Sequence, residues 1–376
     1  MLLSLNVAAL SFVGADVGGF FGDPDAELMT RWMQAGAYTP FFRGHAHHDS
    51  KRREPWMFGN SWMVLMRTAA AERYALLPYW YGTFREAEVT GMPVMRYVYC
   101  LFVIFALVVE FIIPLTCCVK LSLIYFNFIF HIRAMWMQYP EIKELYNTDD
   151  QYLIGSDLLV KPITSSGVDK SDVIFPTRDI WYDVRTMSKM PVVTEATQNL
   201  PVAILSVESD IQVGVPVYQR GGSIIPRRLR LRRSTATMTH DPYTLYVALD
   251  HNHEARGGLY TDDEVTSEND RSDSYANAVI SCSMKCNSSG SSSLPLISNV
   301  VKVGDGWADG AWKHNRMIER IVIMGLECPP TSMEVMSEDG TRGRLLDMHY
   351  DTQTKILVIR KPYLSAIDNW EIRQWL

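Results

Sequence analysis

Gly14-Ala15-Asp16-Val17-Gly18-Gly19-Phe20-Phe21 sets three glycines, one carboxylate and two aromatic rings directly after an apolar run and before a helix. In α/β barrels the end of a strand leading into a helix is where site residues sit. Glycines there let backbone approach a ligand. Asp16 can accept hydrogen bonds from a pair of vicinal hydroxyls, and Phe20 can stack on the apolar face of a pyranose ring. The competing reading is a tight βα turn in which Asp16 is only a turn-former. A second stretch, Arg43-Gly44-His45-Ala46-His47-His48-Asp49, gathers a guanidinium, three imidazoles and a carboxylate within seven residues. That density invites a zinc reading. No helical HExxH and no cysteine pair accompanies it, so we expect no metal and assign Arg43 and His45 to hydroxyl recognition, with His48 and Asp49 in a solvated loop.

The elements that would position these groups follow from periodicity and punctuation. Leu2–Phe12 is a mostly apolar run, interrupted by Ser4, Asn6 and Ser11, and reads as a buried strand; with no basic segment before it and no small-residue cleavage site after it, it does not read as a signal peptide. Asp23 as N-cap, Pro24 at the first helical position and Asp25 and Glu27 in the first turn predict a helix ended by Gly36, with Leu28, Trp32 and Ala35 as its apolar face. A second helix, capped by Ser61, carries Trp62, Leu65, Met66, Ala69, Leu76 and Leu77, is stopped by Gly91, and leads to a short strand at Pro93–Arg96.

Beyond residue 156 the pattern changes to short β-branched and aromatic runs between Pro, Gly, Asp and Ser clusters. Strands are predicted at Asp157–Ile163, Val173–Phe175, Ile180–Val184, Ile211–Tyr218, Thr244–Leu249, Arg320–Met324, Ser332–Met336 and Lys355–Ile359. The Ser- and Asn-rich stretch Ser267–Ser293 reads as a surface loop. Arg227, Arg228, Arg230, Arg232 and Arg233 form a basic run interrupted by Leu229 and Leu231 with period 2, which predicts a strand with one buried leucine face. With 36 basic against 42 acidic residues the chain carries −6, so no nucleic-acid partner is expected. Asn287-Ser288-Ser289 is a glycosylation sequon, which matters only in a secretory protein.

Residues 97–133 stand apart. Between Tyr97 and Phe130 only Glu110, Pro114, Thr116, Lys120, Ser122 and Asn127 fall outside the apolar set. Residues 98–119 are long enough to span a bilayer, although Glu110 lies near the centre and costs about 3 kcal/mol on insertion scales. A buried helix or strand pair is a second reading, and the preferred one is that residues 97–133 are translated from a retained intron or an erroneous gene model.

In order along the chain, Gly14 to Phe21, Arg31-Trp32, Gly36-Ala37-Tyr38, Pro40-Phe41-Phe42-Arg43 with His45, Arg52-Arg53-Glu54-Pro55-Trp56, Arg73-Tyr74, Leu77-Pro78 and Pro93-Val94-Met95-Arg96 resemble glycoside hydrolase family 31. The resemblance continues through Asp149-Asp150-Gln151-Tyr152-Leu153, Leu158-Leu159-Val160, Trp181-Tyr182-Asp183, Gln219-Arg220-Gly221-Gly222, Ile225-Pro226 and Tyr260 with Asp262-Asp263. It implies an α/β plus all-β fold: the C-terminal portion of a (β/α)8 barrel followed by two β-sandwich domains. The implied boundaries are 1–96 and 134–156 for the barrel, 157–240 for a proximal sandwich and 241–376 for a distal one, with 97–133 inserted.

In function the resemblance implies a retaining α-glucosidase without cofactor, in which one carboxylate attacks the anomeric carbon and a second protonates the leaving oxygen and then activates water. It is strongest to the members that remove α-1,3-linked glucose from N-glycans in the endoplasmic reticulum lumen and pair with a β subunit that carries the retention signal. By motif, Asp16, Phe20 and His45 match sugar-contacting positions of the innermost subsite, and Arg43 lies beside them. The family's Trp-x-Asp-Met-Asn-Glu and Trp-x-Gly-Asp stretches, which hold its two carboxylates, do not occur among these 376 residues. An inactive fragment is therefore expected, and a non-catalytic, membrane-attached carbohydrate-binding module is the alternative.

Overall fold

In the computed structural model the described residues are 1–96, 138–146, 148–194, 196–197, 199–267, 274–284, 296–305, 316–336 and 343–374. The hydrophobic insert and the sequon lie outside them. Among the described residues no helix is long and apolar enough to cross a membrane. In chain order the helices are α1 (Leu2–Val7), α2 (Ala26–Gly36), α3 (Asn60–Ala75) and α4 (Leu77–Thr90). The strands are β1 (Met95–Arg96), β2 (Tyr152–Ile154), β3 (Leu158–Val160), β4 (Lys170–Pro176), β5 (Trp181–Asp183), β6 (Val202–Glu208), β7 (Val217–Arg220), β8 (Ser223–Arg227) and β9 (Tyr243–Ala248). They continue with β10 (Glu254–Thr261), β11 (Ala276–Ser283), β12 (Ile297–Val303), β13 (Met317–Met324), β14 (Glu334–Val335), β15 (Arg344–Leu345), β16 (Asp347–Asp351), β17 (Ile356–Ser365) and β18 (Trp370–Arg373).

The chain divides into two units, one holding 1–62, 90–178 and 192–216, the other 63–89, 179–191 and 217–376. In the first, β1, β2 and β3 form an antiparallel meander with Met95 opposite Ile154 and Leu153 opposite Leu159, and β4 and β6 form a separate two-stranded antiparallel ribbon. The predicted first strand is a helix instead. In a short apolar run with only Ser4, Asn6 and Ser11 between its apolar residues, periodicity does not separate the two states. Here Leu5 N–H bonds the Met1 carbonyl at 3.0 Å and Asn6 donates to the Leu2 carbonyl at 3.1 Å, while the Asn6 side-chain oxygen takes the Met95 N–H at 3.1 Å.

Helix α2 is capped two residues later than the sequence suggested, by Asp25, whose carboxylate accepts the Leu28 N–H at 2.8 Å. Its buried side is also not the predicted one. Leu28 is exposed, whereas Met29, Thr30, Arg31 and Gln34 are buried. Arg31 donates to the carbonyls of Ser209 and Val168 at 2.7 and 2.8 Å, and Gln34 to that of Ile211 at 2.8 Å. The helix docks through hydrogen bonds to loop carbonyls, a pattern that hydrophobic periodicity does not register.

The second unit is built on an eleven-stranded mixed sheet in the order β15-β14-β18-β12-β11-β10-β8-β9-β13-β17-β16. Alternation puts Leu245, Val247, Ile321 and Ile323 into one core, and Ala248, Val322 and Met324, with Tyr182 and Ile356, into a second on the opposite face. Strand β11 overturns the expected surface loop: Ala276, Ala278, Ile280 and Cys282 alternate inward within a stretch whose composition read as solvent-exposed. The single predicted helix after Ser61 is two, broken at Leu76 ahead of Pro78, and Gly91 ends the second with φ +73°.

The basic run is likewise inverted. Only Arg227 belongs to a strand; Arg227 and Arg228 are buried, and Leu229 and Leu231 are 39% and 60% exposed. Arg227 lies over the Tyr246 ring, Arg228 pairs with Glu264, Arg230 with Glu319 and Arg232 with Asp241. Burial followed the available carboxylates and rings, not the period.

Close packing fixes one glycine of the second unit. Gly325 has φ +78°, and a Cβ there would lie 2.0 Å from the hydroxyl of Tyr182, itself buried and donating to the Leu249 carbonyl at 2.8 Å. Gly325→Ala is expected to cost about 3 kcal/mol from overpacking and left-handed strain together. Gly167→Ala, also at positive φ but with nothing within 4 Å, should cost about 1 kcal/mol. Urea denaturation of the two variants checks the difference, and equal midpoints would refute it.

Candidate functional site

The two stretches singled out at the start run side by side in the first unit. Phe41 N–H donates to the Val13 carbonyl at 2.9 Å, Val17 N–H to Arg43 at 2.9 Å and His47 N–H to Phe20 at 2.8 Å, with Val17 and Gly44 forming a parallel bridge. The approach is close enough that a Cβ on Gly14 would sit 2.0 Å from the Phe41 carbonyl oxygen, so this position requires glycine. Val17 is fully buried and anchors the first stretch beneath α2.

On this frame the four predicted side chains fall into two contacting pairs. Arg43 Nη2 lies 2.9 Å from Asp16 Oδ1, with the Asp16 backbone held by Gly19 N–H at 2.8 Å. The Arg43 guanidinium also rests over the Phe41 ring, 5.2 Å from its centroid. The pair is solvent-accessible, so its contribution to stability is at most about 1 kcal/mol and its effect is orientation. Phe20 and His45 face each other with ring centroids 5.6 Å apart and a tilt of 37°. Phe20 remains 37% exposed, a ring presented to solvent from a fixed loop. A carboxylate with a guanidinium can bind hydroxyls of a polyhydroxylated ring, and an aromatic face beside an imidazole can cover its C–H face and edge.

His47 packs against the same Phe20 ring, as expected of an extended segment that points it the same way as His45. Its ring lies 5.8 Å from Phe20 and 5.6 Å from Phe21. His47, His48 and Asp49 also bring ligand atoms within 4.8 Å of one another, a group that could hold a metal ion on the solvent side of the loop. Sequence reasoning quoted Arg53 only within a motif. Its guanidinium is buried and donates to three carbonyls, Gly18 at 3.2 Å, Gly19 at 2.6 Å and Gly22 at 2.6 Å. Nearby, Lys51 N–H donates to Asp23 Oδ1 at 2.8 Å; that bond, with the Lys51 and Arg53 charges, holds the Asp23 carboxyl below its ordinary value.

Residues 1–83 match the glycosyl hydrolases family 31 TIM-barrel domain and residues 130–225 the glycosyl hydrolase family 31 C-terminal domain. The chain belongs to glycoside hydrolase family 31. It is 38% identical over 382 residues to neutral alpha-glucosidase AB of Dictyostelium discoideum, covering 99% of this chain and 33% of the relative. A probable glucan 1,3-alpha-glucosidase of Oryza sativa subsp. japonica is 33% identical over 380 residues, covering 99% of this chain and 35% of the relative. A crystal structure of an ER glucosidase II heterodimeric complex, of catalytic subunit and the binding domain of regulatory subunit, aligns with TM-score 0.74 and 26% identity over 100% of this chain and 35% of that one. This family 31 chain thus spans about a third of the length of the relatives it matches and holds part of the TIM-barrel domain together with C-terminal domain sequence.

Proposed function

We propose that this chain is the C-terminal part of a retaining α-glucosidase that removes α-1,3-linked glucose from N-glycans, and that Asp16, Phe20, Arg43 and His45 bind the innermost glucose. The observation that carries the reading is that two bridged parallel segments bring these residues together in two pairs, Asp16 with Arg43 and Phe20 with His45. Asp16 and Arg43 would fix hydroxyls, Phe20 would cover the ring, and His45 would donate or accept at its edge. Their work is positioning, so the bond-breaking carboxylates come from polypeptide outside these 376 residues. Family membership supports the reaction class, and the name of the rice relative supports the α-1,3 linkage.

The domain reading accompanies this: barrel over 1–96 and 134–156, proximal sandwich over 157–240 and distal sandwich over 241–376. A β subunit is the expected partner, supported by the heterodimer described for the structural relative, and the endoplasmic reticulum lumen is the expected compartment. Cys328 is disulfide-bonded, which suits an oxidising lumen.

Titrating the isolated chain with a disaccharide of α-1,3-linked glucose, followed by NMR of the Phe20 and His45 rings, tests the site. Both rings should shift on binding. Asp16→Asn should weaken binding about tenfold or more, the range for hydrogen bonds to a charged group. Wild-type affinity in both Asp16→Asn and His45→Ala would refute the assignment.

A further inference from the structure

Three glycines in the loop that carries Phe20 hold positive φ: Gly18 at +89°, Gly19 at +82° and Gly22 at +74°. Left-handed backbone turns peptide planes over, and here it presents three carbonyl oxygens to one point instead of to solvent. A buried carbonyl needs a donor, and three converging carbonyls suit a cation. Arg53 supplies it. Nη1 reaches Gly18 and Gly19, and Nη2 reaches Gly22, so a single planar fork closes the loop on both sides of Phe20. Met29 of α2 packs at the same point, where a Cβ at Gly18 would be 2.7 Å from its sulfur and 3.3 Å from Arg53 Nη1. Among the described residues Arg53 bonds none of the four proposed sugar-binding side chains, yet it grips the backbone immediately before and two residues beyond the Phe20 ring.

We propose that Arg53 is the positioning residue of this site, the group that orders the Gly18–Gly22 loop so that Phe20 is held against His45 before the sugar arrives. The inference rests on the sugar-binding reading for its consequence, but not for its geometry. Preorganising the ring removes an ordering cost that would otherwise be charged against binding. Lysine is a poor substitute, because a single ammonium is a point donor where the guanidinium spans two sides of the loop.

The test has two parts on the full chain. The first needs no sugar: amide exchange at His47, whose N–H donates to the Phe20 carbonyl, and the nuclear Overhauser contact between the Phe20 and His45 rings. In Arg53→Met the His47 amide should exchange at least tenfold faster and the ring contact should be lost, while amides of the second unit's sheet keep their protection. Arg53→Lys should fall between, and serves if the methionine variant folds poorly. Unchanged His47 exchange and ring contact in both variants would overturn the proposal.

The second part is a double-mutant cycle with the α-1,3-linked disaccharide. Arg53→Met and Phe20→Ala should each weaken binding about tenfold, and the double variant no more than Phe20→Ala alone. Additive losses would show that Arg53 acts only on general stability and would equally overturn the proposal. If wild type binds no sugar, the functional reading falls, and the exchange and ring-contact result alone decides whether Arg53 positions the loop.

Discussion

Purified residues 1–376 release no glucose from an aryl α-glucoside, and this is the largest effect expected of the chain. Retaining hydrolysis needs a nucleophile to form the glycosyl intermediate and an acid/base to protonate the leaving oxygen, two carboxylates about 5 Å apart. Neither family stretch that would supply them occurs in the sequence. The acid/base alone is worth about 10²–10⁴ in rate, and loss of the covalent route adds to that. Asp16 does not replace them. Its Oδ1 is engaged by Arg43 at 2.9 Å, which suits a carboxylate that receives hydroxyl protons and not one that attacks carbon. Release of p-nitrophenol measured by absorbance would check this. Turnover that disappears in Asp16→Asn would mean that the missing groups have been misassigned and that this carboxylate does chemistry.

What was readable beforehand depended on how local the cause was. Gly36 ends α2 as predicted, and β9 lies where β-branched and aromatic residues and turn chemistry put it, because propensity and termination are properties of a few neighbouring residues. The meeting of Asp16 with Arg43, 27 positions apart, was not visible in spacing and came from the family motif that carries both. Arg53 was overlooked as a functional residue for the same physical reason. Its role exists only once the loop has folded back and turned three carbonyls toward it. The errors share a cause as well: α2, the Arg227–Arg233 run and β11 all show tertiary hydrogen bonds, ion pairs or sheet neighbours overriding composition. Of these, β11 alone left a usable signal, the inward alternation of Ala276, Ala278, Ile280 and Cys282.

Glu264→Gln is expected to destabilise the second unit by about 3–5 kcal/mol, the range for removing one partner of a buried ion pair. Two guanidiniums depend on this carboxylate. Arg228 holds it through Nη2 to Oε1 at 2.8 Å and Nη1 to Oε2 at 3.1 Å, and Arg316 reaches Oε1 at 2.8 Å. Both arginines are almost wholly buried, so glutamine would take the carboxylate charge away from two desolvated cations, whose other partners include the neutral Tyr243 hydroxyl and the Thr239 and Asp262 carbonyls. Burial by itself would raise the Glu264 carboxyl, but the hydrogen bonds and charges of Arg228 and Arg316 outweigh it and hold it below its ordinary 4.5. A depressed folded value means that the unfolded chain takes up the proton first. The stabilisation is therefore complete above about pH 4.5 and is lost as pH falls from there through the folded value. Urea midpoints at pH 7 and at pH 3.5 should then differ more for wild type than for Glu264→Gln. The decisive comparison is a triple variant, Arg228→Met, Glu264→Leu and Arg316→Met, which removes charge and counter-charge together. It should be markedly more stable than Glu264→Gln, because the cost comes from buried cations that lose this carboxylate; a triple variant as unstable as the single one would show that the pairs themselves hold the unit together.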